Sequence, residues 1–183
     1  MLDDILKLFY FFLPGYFANM LPSIVGDLKL FENLKVPLDF KKKIKGKRIL
    51  GDHKTLRGLI FGMLGGMLCA IFQSFFYQYS FFKNLSLVDY NFKNAIILGF
   101  LLSFGVLLGD ILFSFFKRQK NIPPGKPWIP FDEIDYTFGV FLIGAPFLPL
   151  ALKDWFFLFL INLFLHFGGN ILGFILGLRK KPL

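Results

Sequence analysis

Residues 94–118 read NAIILGFLLSFGVLLGDILFSFFKR. From 94 to 116 this is one helix-length apolar stretch with a single acid, Asp110, and it ends on the cations Lys117 and Arg118. About 20 such residues cross the hydrocarbon core of a bilayer, so the stretch reads as a transmembrane helix. The same ruler along the 183 residues finds four more, at roughly 5–28, 58–81, 136–152 and 155–178. The last two are separated only by Lys153 and Asp154, which predicts a tight antiparallel hairpin.

The composition agrees. Hydrophobic residues make up 55% and aromatic residues 20%, Phe alone supplies 28, and mean hydropathy is +0.60. Soluble domains hold about 45–50% apolar residues. The Phe residues cluster in runs rather than alternating with polar ones, as lipid contact allows. The expected fold is all-α: a polytopic membrane protein of five transmembrane helices with two long cytoplasmic connections, in one domain over 1–183. With one cysteine, Cys69, neither an intramolecular disulfide nor a thiolate zinc cluster is possible. The first apolar stretch follows Asp3 and Asp4 and holds Pro14, Asn19 and Pro22, so it is expected to be retained rather than cleaved.

Lys and Arg flanking spans are retained in the cytoplasm. Seventeen of the 21 fall between Lys29 and Arg57, between Lys117 and Lys126, or at Arg179, Lys180 and Lys181; Lys7, Lys83, Lys93 and Lys153 fall on the other side. This places the amino terminus outside and the carboxyl terminus inside. The net charge of +9 then reads as topology and as attraction to anionic headgroups. Nucleic acid is not an expected partner, because basic residues are not interleaved with stacking aromatics on a soluble module. The run Lys41, Lys42, Lys43, Lys45, Lys47, Arg48 exceeds what orientation requires and could also collect a polyanionic substrate.

Three polar clusters lie where spans begin and end. Gly51-Asp52-His53-Lys54-Thr55-Leu56-Arg57-Gly58 opens the second span, which continues through Gly62, Gly65 and Gly66. Cations beside a helix start hold phosphate oxygens; a basic flank followed by small-residue helix packing is the plainer alternative. His53, with no second His or Cys at ligand spacing, reads as a solvated interfacial histidine. In the second cluster, Asp110, Ser114, Lys117 and Arg118 stand at i, i+4, i+7 and i+8, on one helix face. An acid two turns inside an apolar span faces a bundle interior or a wet cavity, and its plainer role is to pair with Arg57 or Lys117. The third cluster runs from Lys126 to Asp132-Glu133-Ile134-Asp135 at the start of the fourth span. Carboxylates there complement a helix dipole, but with Asp110 they could also offer oxygen ligands to a hard divalent ion such as Mg²⁺. Cations, glycines and a carboxylate trio at one face are the equipment of metal-assisted phosphoryl or nucleotidyl transfer. A small transporter with Asp110 on its path is the alternative from another class.

Gly109-Asp110, Ser114, Lys117-Arg118 and Asp132-Glu133-Ile134-Asp135, with Lys54-Thr55-Leu56-Arg57-Gly58 and Gly65-Gly66, resemble the signature of the membrane CTP-dependent phosphatidate cytidylyltransferases. The chain is more similar to their archaeal branch, the CDP-archaeol synthases. It has Arg57 where the bacterial enzymes carry Glu, Glu133 where they carry Arg, and no His-Gly-Gly before Asp132. Tyr16-Phe17-Ala18-Asn19 with Pro22, and the ending from His166 to Asn170 and Leu178 to Pro182, fit the archaeal branch. The resemblance implies transfer of CMP from CTP to 2,3-bis-O-(geranylgeranyl)-sn-glycerol 1-phosphate, giving CDP-archaeol and pyrophosphate, with phosphatidate or another lipid phosphate as the alternative acceptor. It implies that Asp110, Asp132 and Asp135 hold Mg²⁺, that Lys54, Arg57, Lys117, Arg118 and Lys126 neutralise phosphates, and that Thr55 and Ser114 orient oxygens. The partners so implied are CTP, an isoprenoid ether lipid phosphate and the bilayer; oligomeric state is not encoded in any motif.

Overall fold

The computed structural model describes residues 2–148 and 150–175. Six helices run α1 (Leu2–Asp27), α2 (Leu56–Phe76), α3 (Ser80–Leu85), α4 (Phe92–Gln119), α5 (Phe131–Gly144) and α6 (Leu152–Ile175). Between α1 and α2 stand a 3₁₀ turn (Glu32–Leu34) and a small hairpin of β1 (Lys43–Ile44) and β2 (Lys47–Arg48). The chain is thus helical with a two-stranded exception, which an all-α reading left out.

Among the described residues, α1, α2 and α4 are long and apolar enough to cross a membrane. They match the first three expected spans to within a few residues, except that the second stops at Phe76 and gives way to α3. The fourth expected span is corrected. Its helix starts five residues earlier, taking Asp132 and Asp135 inside it, and ends at Gly144. Pro146, which has no N–H to donate to the preceding turn, follows closely. At about 1.5 Å per residue its 14 residues cover roughly 21 Å, short of a 30 Å hydrocarbon core. The reversal lies before Lys153 and Asp154, which open α6; the Asp154 carboxylate accepts the Ala151 N–H at 2.9 Å and caps that start. The expected end of the fifth span and the tail Arg179, Lys180, Lys181 lie outside the described residues, as do the side chains of His166 and Asn170.

Glycines set how closely the helices approach. A Cβ on Gly105 would lie 2.6 Å from Val140 Cα, one on Gly109 would lie 2.8 Å from the Asp135 carbonyl carbon, and one on Gly139 would lie 2.6 Å from Gly109 Cα. So α4 and α5 touch backbone to backbone, as small residues permit in lipid. On α2, Gly62 and Gly65 each leave room for a carbonyl of α1, a Cβ there falling 2.9 Å from Ala18 O and Phe17 O. Around these contacts Phe11, Phe12, Leu102, Val106, Val140 and Leu158 are fully buried. Outward-facing Leu68, Phe72, Phe75 and Phe100 are exposed, on the faces lipid would cover. Asn162 ties three helices together: it accepts from Tyr16 Oη of α1 at 2.7 Å and donates to Thr137 Oγ1 of α5 at 2.6 Å.

Candidate active site

The close α4–α5 approach brings Asp110 and Ser114 of α4 against Asp135 of α5, and Lys117, one turn on, against Asp132. With Asn19, Lys54 and Tyr136 these side chains line a cavity of about 260 Å³. The cavity brings together Asp110, Asp132 and Asp135, expected to hold Mg²⁺, and Lys117 and Lys54, expected to neutralise phosphates. Lys54 Nζ is 2.6 Å from both oxygens of Asp110, and Lys117 Nζ is 2.6 Å from Asp132 Oδ2. Asp132 also accepts the Trp128 N–H at 2.9 Å, which folds the α4–α5 connection over the site. Asp135 is buried and its Oδ1 accepts the N–H of Tyr136 at 2.6 Å. Of the plainer pairings open to Asp110, neither forms: its partner is Lys54.

A second cavity of about 540 Å³ adjoins the first, sharing Asn19, Lys54 and Asp110 with it. Thr55 and Arg57 line this larger space. Thr55 is the N-cap of α2, its Oγ1 accepting from Gly58 N at 3.2 Å, so its oxygen is partly committed to starting the helix. Arg57 is buried and donates to Leu30 O at 2.9 Å and to Glu32 Oε1, binding the loop after α1 as well as facing the cavity. His53 is exposed at the rim, as expected of an interfacial histidine.

Arg118 and Lys126 are not among the residues lining either cavity. Arg118 is buried beside Gly51, with Nε and Nη1 lacking a hydrogen-bond partner among the described residues. Lys126 is exposed on the α4–α5 connection.

The sequence reading missed the wall that α1 contributes. Asn19, Ser23 and Asp27 all line the larger cavity. Their spacing of four in an apolar helix places them on one face, a signal that was available. It also missed Asp39. This buried carboxylate accepts from Arg48 Nε and Nη2 at 3.1 and 2.9 Å, and from the N–H groups of Lys41, Leu50 and Gly51 at 3.0 Å each. Burial acts to raise its pKa, but the Arg48 guanidinium and the three amides outweigh burial and hold it well below the usual carboxylate range. It ties residues 41 to 51 of the loop that delivers Lys54.

The oxygen-rich donors of the small cavity, three carboxylates with Ser114 and Asn19, are chemically suited to a hard divalent cation. In the arrangement described, Asp110 and Asp132 are turned onto ammonium groups, and no three His, Cys, Asp or Glu groups among the described residues converge as metal ligands. The donor set fits such an ion provided Lys54 and Lys117 yield their carboxylates.

Fold and site together define a helical membrane-embedded enzyme with a charged cavity at one end of its spans. A solved structure described as an intramembrane enzyme for archaeal membrane lipids biosynthesis shares this fold, with a TM-score of 0.72 over 88% of this chain and 91% of that one, at 24% identity. The family profile described as CarS-like CDP-archaeol synthase matches residues 1–183. A CDP-archaeol synthase of Thermococcus kodakarensis is 35% identical over 181 residues, covering 99% of this chain and 98% of the relative. One from Methanocaldococcus jannaschii is 33% identical over 171 residues, covering 93% and 92%. The chain belongs to the CDP-archaeol synthase family.

Proposed function

We propose that this protein transfers CMP from CTP to 2,3-bis-O-(geranylgeranyl)-sn-glycerol 1-phosphate, releasing pyrophosphate and leaving CDP-archaeol in the membrane. The observation that carries this reading is one cavity in which Asp110, Asp132 and Asp135 meet Lys54 and Lys117 at the end of apolar helices. A lipid phosphate oxygen attacks the α-phosphorus of CTP, and the bond from that phosphorus to the bridging oxygen of pyrophosphate breaks. The protein's part is placement and charge neutralisation. Lys54, at the boundary of the two cavities, touches both substrates' phosphates; Lys117 neutralises charge within the smaller cavity. Ser114 and Thr55 orient oxygens, Arg57 adds charge to the larger cavity, and Arg118 and Lys126 add positive charge from outside the two cavities. Mg²⁺, held by Asp110, Asp132 and Asp135, would supply the charge that offsets the triphosphate.

The distribution of Lys and Arg supports a cytoplasmic site with the amino terminus outside and the carboxyl terminus inside. In that topology α5, with the residues that follow it, makes the fourth of five crossings. The test is release of pyrophosphate from CTP by purified protein offered ether and ester lipid phosphates in parallel, with Asp110→Asn beside it. Turnover on the geranylgeranyl ether substrate, lost in the folded variant, is expected. Preference for phosphatidate would overturn the lipid assignment, and an active Asp110→Asn would overturn the role of the carboxylates.

A further inference from the structure

The β1–β2 hairpin carries chemistry that the site does not use. Phe40 is 72% exposed and Ile44 43% exposed. Around them Lys41, Lys42, Lys43 and Lys45 are all exposed, and none of the four makes a side-chain hydrogen bond or ion pair among the described residues. Such a tip would ordinarily be mobile, yet this one is braced. Asp39 holds its base from five donors, and Gly46, at φ +79, closes the turn with Lys45 in a conformation suited to a two-residue hairpin. Lys47 Nζ donates to Gln119 O, the last residue of α4.

That last bond fixes the height of the tip. With 28 residues at about 1.5 Å each, α4 is roughly 42 Å long, the thickness of a bilayer including both headgroup layers. Its carboxyl end therefore stands at headgroup level, and the hairpin bonded to that end stands there too. Exposed aromatic and aliphatic side chains interleaved with unpaired lysines are the composition of a segment that lies in a membrane interface and holds anionic headgroups.

We infer that the segment Phe40 to Lys45 is seated in the headgroup layer, with Phe40 and Ile44 inserted and the four lysines holding anionic lipid headgroups. The inference rests on the reading of α4 as a spanning helix. It has a consequence for supply of substrate. The loop is stitched to the start of α2 by Leu38 N–H to Lys54 O at 2.8 Å and Leu56 N–H to Val36 O at 2.9 Å. Headgroups collected on the tip are thus held next to the segment that carries Lys54.

The experiment places a nitroxide at Phe40→Cys, in a Cys69→Ser background, with the full chain in nanodiscs of phosphatidylcholine with or without phosphatidylglycerol. Collision with oxygen should rise and collision with a water-soluble nickel chelate should fall several-fold when phosphatidylglycerol is present. Replacing Lys41, Lys42, Lys43 and Lys45 together by Gln should remove most of that difference. A second reporter at Ile44→Cys covers the case in which the first variant does not fold. A label as open to the nickel chelate as a free nitroxide in water, with either lipid, overturns the inference, as does dipolar broadening that reveals a second copy at the tip. A control label at Phe100→Cys, on the exposed face of α4 about a third of the way along it, separates the two readings: lipid exposure there with a water-exposed tip condemns the tip alone.

Discussion

Lys54 Nζ lies 2.6 Å from both carboxylate oxygens of Asp110, at the boundary between the two cavities. An ammonium in that position competes with any cation for the same oxygens. Lys54→Met is therefore expected to bind Mn²⁺, followed by its electron paramagnetic resonance signal, several-fold more tightly than the unaltered protein, while losing most of its turnover because a phosphate loses its counter-charge. Asp110→Asn should lose both binding and turnover. Equal Mn²⁺ affinity in all three proteins would remove Asp110 from the ligand set.

Lys117 pairs with Asp132 at 2.6 Å, and both are largely buried, so this charge acts in a poorly screened setting. Lys117→Ala is expected to lower kcat by roughly 100-fold, the scale for removing one donor to transition-state charge. Lys117→Arg should recover part of it, since the guanidinium keeps the charge but not the shape. If the loss appears wholly in the KM for CTP, the lysine binds the ground state and does not favour the transition state.

Much of the site was legible because its residues are costly where they stand. An acid inside an apolar helix, followed by Ser114 and Lys117 on the same face, announces a cavity, and the structure supplies one. Arg118 obeys the same spacing but turns behind Gly51, which periodicity cannot distinguish. The fourth span was misread because hydropathy registers residues 136–152 as one apolar block, whereas the helix ends at Gly144, just before Pro146. Asp39 was invisible for a different reason. Its partners at 41, 48, 50 and 51 are mostly backbone amides, and no side-chain pattern encodes them.

Gly109 allows the α4 backbone to lie against the Asp135 carbonyl, which keeps Asp110 and Asp135 on one cavity. Gly109→Ala places a methyl group where rigid backbone stands, so α5 must shift. The expected outcome is loss of most CTP turnover together with a Tm lowered by several degrees. Gly46→Ala, strained by its positive φ but open in space, should leave the Tm of the helical body unchanged. Full turnover in Gly109→Ala would show that the α4–α5 spacing is not what sets the carboxylates.

Asn162 bonds to Tyr16 at 2.7 Å and Thr137 at 2.6 Å, so Asn162→Leu leaves one half-buried and one buried hydroxyl without that partner. Such interhelical bonds are worth about 0.6 kcal/mol each on average in membrane proteins and up to about 1.7. Loss of both should lower stability by roughly 1–3 kcal/mol in a denaturation titration. Turnover per folded molecule should persist, because Asn162 lines neither cavity.

Asp39 gives the prediction that depends on pH. Its pKa is depressed in the folded chain, burial being outweighed by Arg48 and the amides of Lys41, Leu50 and Gly51. A carboxyl with a depressed folded pKa stabilises fully above its unfolded value, about 3.9, and that stabilisation falls away progressively below it until pH has passed through the folded value. Amide exchange of the 39–51 loop, corrected for intrinsic rates, should therefore show a constant opening free energy from about pH 5 to pH 8. Asp39→Asn removes the charge at every pH. With charged hydrogen bonds worth about 1.5–3 kcal/mol, trypsin cleavage between Lys41 and Arg48 should quicken by at least tenfold in detergent at neutral pH. Cleavage at the unaltered rate would mean that the loop is held by contacts other than this carboxylate.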